Sequence, residues 1–360
     1  MAAEMKENTS EIKDIALIGR IDLTNELVDG QTVKSRTLYK ALKKYTNYNV
    51  HLVETKDYRK RAIRVFAQLI KALRQSDDVI LIVSKNGRHF FFPLMYVITK
   101  VFKKRVYHDC IGGRLADEVK KYPRWKKYLN AFRANWMESE TLVSSLQSEG
   151  VWNAVYLPNF KLFDSASSRS VPPVPPYRFC TFSRVMKKKG IGHAIQTIKF
   201  LNSAYTENRY YLDIYGPIED NYRDEFFELV TQASDCVRYQ GVARPDQGVK
   251  IVGNYCALLF PTLFYAEGFP GTILDALSAG VPVIASRWAY YNQMLQDGST
   301  GFSYPFGESS GLEDAILKFV SLSSEEYTRM CENCKKASEQ YAADRVITQI
   351  VNQMEMGMKR

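Results

Sequence analysis

Residues 265–286 read YAEGFPGTILDALSAGVPVIAS. Behind Gly280, the apolar run Val281, Pro282, Val283, Ile284 and Ala285 has the composition of a strand buried on both faces, as strands of parallel sheets are. Ahead of it, Ile273, Leu274, Ala276, Leu277 and Ala279 recur at helical spacing. The unit is turn, helix, strand. Pro270 suits the first turn of that helix, where its missing N–H is no loss, and Gly271 lets a ligand approach the backbone. Free amides and the positive end of the helix dipole then make a site for phosphate. Glu267 precedes that site and Asp275 lies one to two turns into the helix, so the two carboxylates reach different parts of one ligand. The plainer alternative is an ordinary helix start with an acidic residue in its first turns, and a short motif alone does not separate the two.

Working outward, the same unit recurs along the chain. IKDIALIGRID, YNVHLVE, DVILIVS and RVYHDC read as strands, with QTVKSRTLYKALKKY and the basic amphipathic YRKRAIRVFAQLIKALRQ as helices between them. Strands alternating with helices predict a parallel sheet covered on both faces. Residues 164–178, DSASSRSVPPVPPYR, have little to bury and read as a linker. The alternation then restarts with RFCTFSRV, HAIQTIKFL, YYLDIYG, YRDEFFELVTQA, CVRYQG and CALLFP. The expectation is an α/β protein of two doubly wound, Rossmann-like domains. The first spans 1–165, a linker 166–178, the second 179–335, and a C-terminal helix in 336–360 packs back toward the first. Ligands of such sheets bind beyond the carboxyl ends of the strands, and with two domains those ends line one central cleft.

The chain has 360 residues, 46% of them apolar and 24% charged, which is a globular composition with room for two cores. Its polar start, MAAEMKENTSEIKD, carries no signal-peptide pattern, and no run of 18 apolar residues occurs. Six cysteines without a disulfide framework fit a reducing cytoplasm. Cys331 and Cys334 form a lone CxxC on a helical stretch, read as helix positions rather than as a zinc or redox pair. The net charge of +10 is unevenly placed. Residues 1–165 hold 29 Lys and Arg against 18 Asp and Glu, while the remainder holds 20 against 21. The first half therefore expects an anionic partner. Nucleic acid is set aside because no RNA- or DNA-binding motif accompanies the charge.

In FSRVMKKKGIGHAI, Arg184 and Lys189 occupy a strand-to-helix loop where they meet a phosphate. Lys187 to Lys189 read alone are a solvated charge run, and His193 reads as a helix-surface residue. The incomplete GxGxxG gives no case for NAD. The ordered set SRVMKKKG, IYG, GVARPDQ, LFPTLFYAEGFPGTILDALSAGVPVIAS and DGSTGFSYP resembles the C-terminal domain of retaining nucleotide-sugar glycosyltransferases of the two-Rossmann GT-B architecture, family 4 type. More loosely, DGQTVKSRTLYKAL, VSKNG and VYHDCIGG look like bacterial members that build capsule, exopolysaccharide or O-antigen. The resemblance implies that Arg184, Lys189 and the amides near Gly271 and Thr272 hold the donor diphosphate. It further implies that Glu267 and Phe269 meet the donor sugar, that Asp275 takes the ribose hydroxyls, and that Gly241 and Val242 border the base. Asp275 stands where the family usually has Glu, Pro217 where a second glycine is common, and Gln293 where an acidic residue is frequent.

For the first half, Gly30 opens a helix whose amides, with Lys34, either approach a phosphate or simply start a helix. His108 and Asp109 end a strand where a resembling pair touches the donor sugar. Ser84 and Asn86, beside Lys85, line the acceptor path. FFFPLMYVITKVFKKR, residues 90–105, is either a core helix or a membrane-facing one, and KKYPRWKKYLNAFRANW, residues 120–136, interleaves cations and aromatics as an interfacial helix does. The expected function is a retaining transfer of sugar from a nucleotide diphosphate to a glycan or lipid-linked hydroxyl, without metal or other cofactor, at the inner face of the plasma membrane. The alternative is a catalytically inactive GT-B subunit that binds or chaperones.

Overall fold

The computed structural model describes residues 12–24, 27, 29–162, 172–308 and 310–356. The chain divides into two compact units, Met1–Leu162 with Tyr341–Arg360, and Phe163–Gln340. The first contains β1 (Asp14–Gly19), α1 (Gly30–Tyr45), β2 (Asn49–Glu54), α2 (Ala62–Gln75), β3 (Asp78–Ile82), α3 (Lys85–Val101) and β4 (Arg105–Asp109). It continues through α4 (Leu115–Lys121), α5 (Arg124–Leu129), β5 (Ala134–Met137), α6 (Glu140–Ser148) and β6 (Ala154–Tyr156). Its strands lie parallel in the order β2-β1-β3-β4-β5-β6. Ile15 to Ile18 and Val79 to Ile82 are all buried, because helices cover both faces.

The second unit contains β7 (Tyr177–Phe182), α7 (Ile191–Asn202), β8 (Tyr210–Tyr215), α8 (Arg223–Thr231), β9 (Val237–Gly241) and α9 (Gly248–Val252). After these come β10 (Ala257–Phe260), α10 (Gly271–Ala279), β11 (Val283–Ser286), β12 (Gly301–Tyr304), α11 (Gly311–Val320) and α12 (Ser324–Ser338). The sheet is again parallel, in the order β12-β11-β10-β7-β8-β9. Strand order reverses between β7 and β10 here, and between β1 and β3 in the first sheet. At such a reversal the loops diverge and leave a crevice at the carboxyl ends. Both sheets are the parallel, doubly wound sheets expected from the alternation.

The last helix, α13 (Ala343–Met356), belongs to the first unit. Its Val346, Ile347, Ile350 and Met354 are buried in the core that holds Leu38, Ala41 and Leu42 of α1, and Trp136 Nε1 donates to Gln353 Oε1 at 2.6 Å. The second unit runs on to Gln340, five residues beyond the expected edge at 335, because α12 continues through Ser338 with Cys334 and Ser338 buried. Tyr177 and Arg178, placed in the linker from sequence, begin β7. Residues 163–171 of that segment lie outside the described ones.

The interfacial helix expected over 120–136 does not form. Pro123 separates α4 from α5, and the stretch then enters β5. Trp125 and Trp136 are both buried, so the aromatics of the pattern face the core while its lysines face water. Residues 90–105 resolve the other way from either simple reading. Phe91, Phe92, Met95 and Ile98 of α3 enter the core, whereas Phe90, Val97, Val101 and Phe102 are exposed. All six cysteines are buried and unpaired, including Cys331 and Cys334. None of the described helices is long and apolar enough to cross a membrane.

Because Ile350 is fully buried among residues distant in sequence, Ile350→Ala is expected to destabilise the first unit by about 2–5 kcal/mol. Urea unfolding followed by Trp136 fluorescence measures it, and an unchanged midpoint would show that α13 contributes no core.

Candidate functional site at the carboxyl edge of the second sheet

The reversal between β7 and β10 brings together two loops that are far apart in the chain. After β7 the chain passes Ser183, where Gly216 approaches so closely that any Cβ would overlap the Ser183 carbonyl oxygen, at φ +135°. It then turns through Lys187–Lys189 into Gly190, whose φ of +69° and contact with the Pro261 carbonyl likewise leave no room for a Cβ. Only glycine satisfies both the left-handed backbone and the close approach. The Leu263 amide donates to the Lys188 carbonyl at 2.9 Å, and the Ser286 hydroxyl to the Thr262 carbonyl at 2.6 Å. The loop after β10 is thus fastened on both sides.

That fastening sets the charges. Lys189 Nζ lies 2.5 Å from Glu267 Oε2, with the side chains 18% and 14% exposed. The Thr262 hydroxyl reaches the same oxygen at 3.4 Å, and Lys189 also lies 5.6 Å from the centre of the Phe260 ring. The neighbouring lysines do otherwise. Lys187 pairs with Glu225 at 3.1 Å, and Lys188 sits 6.0 Å from the Phe264 ring, so the solvated-run reading holds for these two. Arg184 is exposed and has no ion pair among the described residues. It is a cation left available.

Helix α10 starts at Gly271, with Pro270 at its cap in an extended conformation, one position earlier than the first turn expected from sequence. No side chain caps it. The Ile273 amide bonds back to Pro270, which leaves the amides of Gly271 and Thr272 for a ligand. The Thr272 hydroxyl is itself buried without a partner. Bare amides at the positive end of a helix, an unsatisfied hydroxyl and Arg184 are suited to an anion.

Other sequence candidates fall elsewhere. Gly241 ends β9 at φ +85° with open space beside it, and Val242 is exposed, so both remain accessible. Phe269 is buried. Asp275 is only 1% exposed, and its carboxylate lies against Gly248 at the start of α9, where a Cβ would collide with it. Asp275 is therefore packed against the first turn of α9. His193 faces the Tyr304 ring at 6.4 Å.

In the first unit, Gly30 is exposed at the start of α1, whose Asp29 cap accepts from the Thr32 amide. Lys34 does not reach that surface. It is buried, with Nζ 2.6 Å from Asp109, 2.9 Å from Glu138 and 2.8 Å from the Cys110 carbonyl, so its donors are spent internally. Burial alone would lower its pKa, but Asp109 and Glu138 overcome that and raise it. Burial pushes Asp109 up to about 6, against the opposing pull of Lys34. The cation that does stand beside Gly30 is Arg20, held by Asp29 and, at 2.9 Å, by the Thr32 hydroxyl. Its position directly after a strand was the signal for it.

His108 is fully buried and meets Phe92 edge-on at 4.9 Å, with Asn135 beside it on the neighbouring strand. Burial, then Arg88, hold its pKa well below the usual imidazole range, so it is neutral. Strand alternation is the reason: Val106, His108 and Cys110 share the face toward α3, and Tyr107 and Asp109 the other. Ser84 caps α3 and Asn86 lies in its first turn, both exposed. Thr262 lies within the quoted LFPTLFYAEGFP stretch but is not singled out there, and Glu138 lies outside every quoted motif.

Comparison with known proteins places these features. HepE of Anabaena, solved in complex with UDP, superposes with a TM-score of 0.74 over 96% of this chain and 100% of its own, at 14% identity. The two sheets thus have the GT-B glycosyltransferase fold. Residues 164–339 match the family described as glycosyl transferases group 1. Amylovoran biosynthesis glycosyltransferase AmsK of Erwinia amylovora is 24% identical over 40% of this chain and 36% of its own length. Putative colanic acid biosynthesis glycosyltransferase WcaL of Escherichia coli is 23% identical over 46% and 42%. The chain spans less than half the length of these curated relatives.

Two substitutions separate support from ligand contact. Lys34→Met leaves Asp109 and Glu138 buried without a cation and is expected to cost about 3–5 kcal/mol by chemical denaturation, where a surface phosphate ligand would cost little. Asp275→Ala should weaken a nucleoside diphosphate and its 2′,3′-dideoxy form by the same factor in calorimetry if the buried carboxylate serves only to pack against Gly248 of α9. A loss confined to the form that keeps its ribose hydroxyls would return Asp275 to the ribose.

Proposed function

We propose that this chain is a retaining glycosyltransferase that moves a sugar from a nucleoside-diphosphate donor to a hydroxyl of a lipid-linked or polysaccharide acceptor in bacterial surface-glycan assembly. The observation that carries the reading is the Lys189–Glu267 pair beside an uncapped helix start and the unpaired Arg184. The family match and the surface-polysaccharide enzymes among the relatives support it.

Breaking the bond from the anomeric carbon to phosphate puts charge on the diphosphate. Arg184, Lys189 and the Gly271 and Thr272 amides meet that charge with positions already set, so little reorganisation is needed and no metal is assigned. Glu267 accepts from hydroxyls of the donor sugar, steadied by Lys189 and Thr262. The acceptor oxygen attacks on the face the diphosphate leaves, and a leaving phosphate oxygen takes its proton. Gly241 and Val242 border the base. The basic first unit is assigned to the acceptor and to the inner face of the plasma membrane, with the exposed Gly30, Ser84 and Asn86 and the half-buried Arg20 toward it. His108, Asp109 and Lys34 serve it as interior supports.

Glu267→Ala should abolish transfer while nucleoside diphosphate still binds, and Arg184→Ala should slow turnover by roughly a hundredfold, the usual scale for losing one preorganised charge at a leaving group. Donor hydrolysis and transfer, assayed across a panel of nucleotide sugars, read both. Near-parental turnover by either variant would overturn the site assignment.

A further inference from the structure

The loop after β10 has two differently occupied sides. Glu267 turns toward the loop after β7, where Lys189 holds it. Tyr265, two residues earlier, turns the other way. Its ring meets that of Phe306, in the loop after β12, with centroids 5.2 Å apart and planes at 72°, and its carbonyl accepts from the Ala289 amide, beyond β11, at 2.9 Å. Tyr265 is nevertheless 59% exposed. A single exposed aromatic needs no explanation by itself, but this one is held in place. The Leu263 and Glu267 amides donate to the Lys188 and Phe264 carbonyls, and the Phe264 amide to the Thr262 hydroxyl, so the backbone on both sides of Tyr265 is tied. On the facing loop, Gly307 at φ +85° lets the Glu308 amide bond back to the Pro305 carbonyl, and the turn so closed presents Phe306, which is half-buried.

An aromatic ring fixed at one edge and otherwise in water offers a flat apolar surface with an electron-rich face. Tyrosine gives up little freedom in using it, having two side-chain torsions. The complement is a neutral ring with weakly positive C–H groups on one face and hydroxyls around its rim, which describes a pyranose. A donor for rim hydroxyls stands at the same end of the sheet. Arg287 follows β11, the strand between the two loops, and is exposed with its Nε on the Ser303 hydroxyl at 3.1 Å.

Position along the sheet edge says which pyranose. The strands run β12-β11-β10-β7-β8-β9. The proposed donor site puts the base at the end of β9, the diphosphate at the loop after β7 and the start of α10, and the donor sugar at Glu267, a progression toward β12. At about 4.8 Å per strand, the ends of β9 and β12 are about 24 Å apart, too far for one nucleoside to touch both. The Tyr265 and Phe306 rings therefore lie past the donor sugar, on the side away from the nucleotide. We propose that Tyr265, oriented by Phe306, is the stacking platform for a pyranose ring of the acceptor glycan. The proposal rests on the transferase reading and gives the second unit a share of the acceptor.

The test is saturation-transfer NMR of the full chain with the methyl pyranosides of glucose, galactose, mannose and N-acetylglucosamine, in the presence of whichever of UDP, GDP and ADP binds in calorimetry. At least one pyranoside should receive magnetisation from aromatic protons of the protein through its ring C–H groups. Tyr265→Ala should lower its affinity by about threefold to tenfold, the scale of one aromatic contact, Phe306→Ala should lower it as well, and Tyr265→Trp should keep it. Unchanged thermal midpoints show that the variants fold. Transfer to none of the four pyranosides, or affinity untouched by Tyr265→Ala, would overturn the platform. Loss with Tyr265→Trp would overturn stacking, and affinity untouched by Phe306→Ala would overturn the orienting role of that ring. Displacement of the pyranoside by a nucleotide sugar, but not by its nucleoside diphosphate, would overturn the acceptor in favour of the donor sugar. If none of the three diphosphates binds, the donor-site reading fails while the pyranoside contact at Tyr265 is still measured without them, so the two failures are distinct.

Discussion

The contact between Gly190 and the Pro261 carbonyl is the constraint on which the second unit's site depends. A residue with a side chain could neither adopt the left-handed backbone without cost nor fit against that oxygen. With glycine there, the loop after β7 lies flat on the loop after β10, and the Lys188 carbonyl is close enough to accept from the Leu263 amide. Lys189 then reaches Glu267. The ion pair follows from a steric fact about the backbone.

Burial decides which charges remain available to a ligand. Lys34, Asp109 and Glu138 neutralise one another below the surface of the first unit, where none of them could stand alone. Arg88 is likewise buried on Glu118 at 2.6 Å. Once these cations are subtracted, much of the basic surplus of the first half rests on exposed side chains, among them Arg59, Lys60, Arg61 and Arg64 before and at the start of α2, which form no ion pair among the described residues. In the second unit the same sorting leaves Arg184 outside while Lys187 and Lys189 are paired.

Both units spend close backbone approach and buried charge near the carboxyl edges of their sheets, which is where strand reversal leaves loops free to diverge. The remainder of each sheet is apolar and covered on both faces. Asp275 shows how the two demands meet. It sits in an otherwise apolar helix, yet its carboxylate faces Gly248 and so links α10 to the loop after β9.

The sequence by itself determined the two parallel sheets, since apolar runs such as ALIG, VILIV and VPVIA alternate with helical periodicity and no other layering buries them. It also placed Arg184, Lys189, Glu267 and Gly271 at strand-to-helix loops, because those residues follow strands directly. Tertiary structure alone decided depth. His108 and Asp109 are adjacent in sequence at a strand end, but the two-residue repeat of a strand sends them to opposite faces and the helices bury both. Local pattern likewise could not tell that Trp125 and Trp136 point inward while Phe66 and Phe90 do not, because that depends on which helix packs beside them. The return of a C-terminal helix to the first unit is an expectation from sequence; which residues meet there, Val346 and Ile350 in the core of Leu38 and Leu42, was decided by contacts some three hundred residues apart.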